Sequence, residues 1–225
     1  MKKLIIFDLD QTIIELHKFH NKATMLTFKK IFGVKAWLTE IDFAGKTIEK
    51  DLEDLAILKN IHRNVINKKL PKAIKIYGKI FLSIMPESIR RDILPGAENI
   101  IKALHKDKSA ILVLVTGDER IIAERVLSKA RLLRYFKFIV TGEKTRSRIK
   151  LTRYAIKKAK KSAKIKKVFI IGDSIHEVEA AKATHSHVIS VLTGFHSKAQ
   201  LRKAGSKHIF KNLKDKRILN LINKD

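Results

Sequence analysis

The chain has 225 residues, with 49 Lys or Arg against 22 Asp or Glu, so its formal net charge is +27. Its 45% hydrophobic residues are enough for a packed core, which excludes a disordered basic tail. The lack of cysteine excludes disulfides, cysteine-based zinc sites and a cysteine nucleophile, and no apolar run approaches the roughly 18 residues of a membrane span, so we expect a soluble, cytoplasmic protein with no membrane partner.

A short apolar run near the start, Leu4–Leu9, predicts a strand that is buried on both faces. The next segment, from about Glu15 to Asp92, has no comparable run, and its apolar residues recur at helical spacing. Pro95-Gly96 then marks a turn back towards strand-like sequence. We therefore predict a small all-helical cap domain over residues 15–92, inserted into a core domain of residues 1–14 and 93–225.

Beyond this insert, strand-like apolar runs alternate with helical stretches. The strand-like runs are Ile111–Val115, Val168–Ile171 and His187–Leu192, with weaker ones at Phe136–Val140 and Lys207–Phe210. The helical stretches cover about residues 119–133, 149–160, 177–184 and 213–222. This alternation predicts an α/β protein whose parallel sheet is connected by right-handed crossovers.

Polar residues follow three of the predicted strands. Asp8 and Asp10 follow the first, Thr116-Gly117 the second, and Asp173 a later one, with Glu177 one helical turn further on. A single Asp at a strand end is typical of a turn or a helix cap, but ligands in open α/β sheets bind beyond the carboxyl ends of the strands. Clustered carboxylates repel one another unless a cation neutralises them, so the three ends together predict a Mg²⁺ site.

These same residues resemble the motifs of a known family. Phe7–Thr12, Val115–Gly117 and Gly172–Lys182 resemble the first, second and fourth motifs of the haloacid dehalogenase superfamily, specifically its phosphatase branch with a helical cap, as in phosphoglycolate phosphatase-like proteins. Gln11 stands where glycine is usual, and Glu177 where aspartate is commoner. The resemblance implies a Rossmann-like core and hydrolase activity.

A third motif of this family is a lysine upstream of the fourth. Lys150 matches it best by spacing and by the helix that follows, and Lys144 is the alternative. The resemblance implies that Thr116, Gly117 and this lysine bind the phosphoryl oxygens of the substrate.

The resemblance also implies a reaction. A Mg²⁺-dependent phosphatase would hydrolyse the phosphomonoester of a small metabolite, with Asp8 as the nucleophile that forms an aspartyl-phosphate and Asp10 as the general acid and base. Asp8, Asp10 and Asp173 would be the metal ligands, and Glu177 would orient the metal from outside the ligand set. Lys46, in the turn Gly45-Lys46-Thr47, would contact the leaving group or lie in an exposed surface turn.

Two further hypotheses remain open at this stage. Residues 93–225 carry 31 basic against 11 acidic residues, which indicates either a nucleic-acid partner, including a nucleic-acid end phosphatase, or a solvated basic surface. A phosphosugar mutase would use the same motifs and would release no free phosphate.

Overall fold

A six-stranded sheet organises the computed structural model, which describes residues 1–224. The strands are β1 (Lys2–Phe7), β2 (Ala110–Val115), β3 (Phe138–Val140), β4 (Ile165–Gly172), β5 (His187–Val191) and β6 (His208–Phe210). Their order is β3-β2-β1-β4-β5-β6, and all neighbouring pairs are parallel. The predicted α/β class and parallel sheet are confirmed.

Helices flank the sheet and connect its strands. They are α1 (His17–Phe32), α2 (Ile48–Leu58), α3 (Arg63–Ile84), α4 (Ala97–Lys106), α5 (Arg120–Lys129), α6 (Arg148–Ser162), α7 (Ile175–Ala183), α8 (Lys198–Ala204) and α9 (Arg217–Asn223). Among residues 1–224, none of these helices has the length and hydrophobicity that crossing a membrane requires.

β1 lies at the centre of the molecule because both of its faces are apolar. Ile5 and Phe7 belong to one buried cluster, and Leu4 and Ile6 to a second cluster, which includes residues of α6. Alternate side chains of a strand point to opposite faces, so the sheet is covered on both sides. This packing fixes the position of Asp8 and of the residues that come after it.

The order of the strands reverses at β1, which pairs with β2 on one side and β4 on the other. Phe7 is in register with Leu114 of β2 and with Ile171 of β4. The residues that follow these three strands therefore meet at one edge, which is where open α/β sheets bind their ligands.

Three helices, α1 to α3, lie between β1 and β2, ahead of α4. The chain enters and leaves this helical segment at neighbouring points. The amide of Glu15 donates to the carbonyl of Asp92 at 2.8 Å, and the amide of Leu94 donates to the carbonyl of Ile13 at 2.9 Å. The division of the chain into a cap of residues 15–92 and a core stays a prediction, and these paired crossings agree with it.

Candidate active site

Asp8 follows β1 directly and forms an ion pair with Arg148, the first residue of α6. Arg148 Nη1 lies 2.9 Å from Asp8 Oδ1, and its Nε lies 3.1 Å from Glu177 Oε1. Burial raises the pKa of Asp8 well above its ordinary value; the Arg148 guanidinium opposes this shift, whereas Glu177 and Asp173 add to it. Asp8 is therefore a buried carboxylate that depends on a neighbouring cation for its charge.

Asp10 lies in the same cavity, where one of its oxygens is held by the backbone. The amide of Leu16 donates to Asp10 Oδ1 at 2.8 Å, and Asp10 Oδ2 lies 3.9 Å from His20 Nε2. Burial raises the pKa of Asp10 well above its ordinary value, and the charge of Asp118 raises it further. A carboxyl group with a raised pKa is suited to act as a general acid.

The end of β2 brings Thr116, Gly117 and Asp118 to the cavity. The Thr116 hydroxyl donates to Asp118 Oδ2 at 3.1 Å and accepts from the Asp118 amide at 3.2 Å. A Cβ on Gly117 would lie 1.9 Å from the carbonyl oxygen of Lys46, so only glycine permits the helical insert to approach the sheet here.

At the end of β4, Asp173 and Glu177 are held by different partners. Thr12 Oγ1 donates to Asp173 Oδ1 at 3.0 Å. Glu177 Oε2 accepts from the Ser174 amide at 3.0 Å and from the Ser174 hydroxyl at 2.6 Å, which forms the capping box of α7. Burial raises the pKa of Asp173 well above its ordinary value, and repulsion from Glu177 and Asp10 raises it further.

Of the two lysines predicted to bind phosphate, the structure places neither in the cavity. Lys150 and Lys144 are both exposed, and Lys144 Nζ lies 5.5 Å from the centre of the Tyr154 ring. Arg148 instead lies in the cavity, where the lysine was expected, and its side chain is only 8% exposed. Lys150 is two residues further along α6 and therefore about 200° around the helix axis, on its solvent face.

The helical insert contributes the other wall of the cavity. The lining side chains from this segment include Leu38, Phe43, Ile48 and Asp51, and Phe195 joins them from the loop after β5. Lys46 also lines the cavity, and its Nζ lies 3.2 Å from Asp54 Oδ2. The cavity measures about 60 Å³.

Sequence reasoning missed His20, Asp51 and Arg148 as residues of the site. His20 Nε2 lies 3.5 Å from Asp118 Oδ1, and its Nδ1 forms a hydrogen bond with the Tyr77 hydroxyl. Burial lowers the pKa of His20, so the ring is neutral near pH 7. Of these three residues, only Arg148 is indicated by a sequence feature. Ser147 before it is a good N-cap residue, which predicts that Arg148 lies in the first turn of a helix.

The donor set fits Mg²⁺. Asp8 and Asp173 are buried and Asp10 is partly buried, and the pKa values of all three carboxyl groups are raised in part by mutual repulsion, so a divalent cation would relieve an excess of negative charge. Among residues 1–224, no three His, Asp or Glu side chains are arranged to hold a metal ion alone. Mg²⁺ binds through one or two carboxylates and keeps several waters, so two carboxylates and a backbone carbonyl suffice.

A family model described as haloacid dehalogenase-like hydrolase matches residues 5–191 of this chain. No protein of curated function matches it in sequence. Among solved structures, a predicted phosphatase from Clostridium acetobutylicum is 23% identical with a TM-score of 0.78, over 98% of this chain and 99% of that one. A β-phosphoglucomutase from Clostridium difficile is 17% identical with a TM-score of 0.80, over 99% and 97%. A hydrolase from Pseudomonas syringae is 18% identical with a TM-score of 0.74, over 98% of each chain. These likenesses concern the fold.

Proposed function

Since this chain belongs to the haloacid dehalogenase-like hydrolase family, we propose that it is a phosphatase that hydrolyses the phosphomonoester of a small metabolite with Mg²⁺ and an aspartyl-phosphate intermediate. The observation that carries the proposal is the meeting of Asp8 and Asp10 in one small cavity with a buried guanidinium, that of Arg148. A nucleophile, a proton donor and an anion-binding cation are together what phosphoryl transfer requires.

Asp8 is the nucleophile of the proposed reaction. Its carboxylate forms a bond to phosphorus while the bond from phosphorus to the leaving oxygen breaks. Asp10, whose raised pKa keeps it protonated, donates its proton to that oxygen. It then takes a proton from the water that attacks the aspartyl-phosphate, so that inorganic phosphate leaves and Asp8 is restored.

The phosphoryl group is held by residues from the end of β2 and the start of α6. Thr116 offers a hydroxyl and Gly117 an amide, and Arg148 takes the role that the sequence assigned to Lys150. A guanidinium presents two parallel N–H donors, which matches two oxygens of a phosphoryl group better than an ammonium does. Asp8, Asp173 and the Asp10 carbonyl would hold Mg²⁺, which supplies positive charge between the nucleophile and the phosphate.

The test is hydrolysis of p-nitrophenyl phosphate by the purified protein. We expect turnover with Mg²⁺, loss of turnover in EDTA that added Mg²⁺ reverses, and no turnover in Asp8→Asn. A matched control is Asp215→Asn, at a partly exposed carboxylate that pairs with Arg217 and does not line the cavity. Turnover that survives both EDTA and Asp8→Asn would exclude the mechanism. With a sugar phosphate as the substrate, an isomerised product without free phosphate would indicate a mutase.

A second candidate function, binding to nucleic acid, is favoured by the exposed face of α6. Lys150, Arg153, Lys157 and Lys160 recur at helical spacing, and all four are exposed. Such a stripe of positive charge attracts the phosphate backbone of RNA or DNA. If it binds RNA or DNA, affinity falls steeply with salt, and a variant with Lys157→Gln and Lys160→Gln loses affinity while it keeps phosphatase activity. No binding at about 50 mM salt would remove this candidate.

A further inference from the structure

One carboxylate of the cavity has no role in the mechanism above, and one of its oxygens has no hydrogen-bond partner among residues 1–224. Asp51, on α2, is 5% exposed and lines the cavity. Its Oδ1 atom is buried and accepts no hydrogen bond from any residue that the structure describes. Buried polar atoms in folded proteins are nearly always paired, because an unpaired one destabilises the folded state.

The two cations of the cavity are both engaged elsewhere. Arg148 lies between Asp8 and Glu177. Lys46 Nζ lies 3.2 Å from Asp54 Oδ2; burial raises the pKa of Asp51 and the charge of Lys46 opposes that shift, but no ion pair or hydrogen bond joins the two side chains. No described residue of the cavity wall therefore pairs with the Asp51 Oδ1 atom, so this acceptor is available to a bound molecule.

The surroundings of Asp51 restrict what that molecule carries. The part of the cavity formed by the helical insert and Phe195 is otherwise mostly apolar, with Leu38, Phe43 and Ile48 in the wall. Asp118 contributes a further carboxylate to the same cavity. A hydroxyl or an ammonium would pair with Asp51, whereas a carboxylate or a second phosphate would face negative charge without a free cation.

We propose that Asp51 recognises the leaving group of the substrate by accepting a hydrogen bond from it. The substrate is then a small phosphomonoester whose leaving group carries a hydroxyl or an ammonium and no negative charge. This inference rests on the proposed phosphatase function. It excludes phosphorylated hydroxy acids and bisphosphates as preferred substrates.

Two matched pairs of substrates test the inference. O-phosphoethanolamine and 2-phosphoglycolate differ in an ammonium against a carboxylate, and glycerol 3-phosphate and 3-phosphoglycerate differ in a hydroxyl against a carboxylate. With Mg²⁺, we expect kcat/KM to favour the hydrogen-bond donor of at least one pair by roughly 10- to 100-fold. The pair with the larger ratio identifies the donor as ammonium or hydroxyl.

Variants then assign the preference to Asp51. Asp51→Asn keeps the size of the side chain and removes its charge, so the preference for the donor substrate should fall at least about fivefold. Glu49→Gln is the control, since Glu49 lies on the same helix but pairs with Arg146 outside the cavity, at 2.7 Å. It should leave the ratio unchanged, and melting temperatures report whether each variant is folded.

The outcomes separate this inference from the function on which it rests. Turnover of p-nitrophenyl phosphate by the wild-type protein, together with equal or reversed ratios in both pairs, would overturn the inference and leave the phosphatase standing. An Asp51→Asn protein that is folded and keeps the wild-type ratio would also overturn it. Failure to hydrolyse any phosphomonoester would overturn the function, and the inference with it.

Discussion

Arg148 Nη1 lies 2.9 Å from Asp8 Oδ1, so the candidate nucleophile is paired with a guanidinium. The same nitrogen donates to the carbonyl of Val115 at 2.8 Å, at the end of β2. These contacts join the start of α6 to the ends of β1 and β2. The guanidinium is therefore positioned to exchange its contact with Asp8 for one with a phosphoryl oxygen.

The first prediction compares Arg148 with Lys150. Arg148→Gln should lower kcat/KM for p-nitrophenyl phosphate by roughly 10²–10³-fold, since it removes a positioned donor to the phosphoryl group. Lys150→Gln should change kcat/KM less than about twofold, because its side chain is exposed outside the cavity. Steady-state kinetics with saturating Mg²⁺ measure both. A larger loss in Lys150→Gln than in Arg148→Gln would restore the lysine as the phosphate ligand.

Folding needs a separate measurement in this comparison. Loss of the Arg148 charge leaves the carboxylates of Asp8 and Glu177 buried without this counter-charge, and a broken buried ion pair costs about 3–5 kcal/mol. Arg148→Lys keeps the charge, so it should retain more stability than Arg148→Gln in urea unfolding and recover part of the activity. Equal losses in the two variants would show that the charge at this position is not what matters.

The second prediction concerns the pH profile of the reaction. The charge of Asp118 helps to raise the pKa of Asp10, after burial. Asp118→Asn removes this repulsion and lowers the pKa of Asp10, so Asp10 loses its proton at a lower pH. The alkaline limb of the kcat profile should therefore move to lower pH, whereas in Asp215→Asn it should not move. An alkaline limb that stays in place would mean that another group carries the proton.

Much of this site could be predicted from the sequence, because it depends on strand ends. Asp8, Asp10, Thr116 and Asp173 each follow an apolar run, and adjacent parallel strands bring such residues to one edge without any knowledge of side-chain packing. The fold class follows from the same alternation of strands and helices. The α/β sheet was therefore predictable to within a few residues at each strand.

The residues that sequence reasoning missed come from helices. His20 and Asp51 reach the cavity only because α1 and α2 pack over the carboxyl edge of the sheet, and helical spacing alone does not say which side of a helix meets a distant strand. Arg148 was missed because the family pattern directed attention to a lysine. Two residues along a helix reverse the direction of a side chain, so Lys150 faces solvent.

The third prediction concerns Gln11, which adopts a left-handed backbone conformation with φ of 57°. Side chains with a Cβ are strained in this region by roughly 1–2 kcal/mol, whereas glycine is not. Gln11→Gly should therefore raise the free energy of unfolding by about 0.5–1 kcal/mol, after allowance for the greater freedom of glycine in the unfolded chain. Gln11→Ala is the control, because it shortens the side chain and keeps the strain. A glycine variant no more stable than the alanine variant in urea would contradict this account.

The last prediction concerns two carboxyl groups beside the site, Glu119 and Glu143. Burial, together with a hydrogen bond to Glu143, raises the pKa of Glu119 to about 8. In the unfolded chain Glu119 loses its proton near pH 4.5, whereas in the folded chain it keeps the proton until about pH 8. Between these values unfolding releases a proton, so this group favours unfolding more strongly as the pH rises.

Its contribution to stability is thus complete below about pH 4.5 and is lost by about pH 8. Glu143→Gln removes the neighbouring charge and lowers the pKa of Glu119, so the variant should lose less stability over this range. Because Glu119 is only half-buried, solvent screening limits the difference to about 1 kcal/mol. Urea unfolding at pH 5 and pH 8 measures it, with Glu87→Gln, at a fully exposed side chain, as the control. If wild-type and Glu143→Gln proteins lose the same stability between these pH values, Glu119 and Glu143 do not share a proton in the folded state.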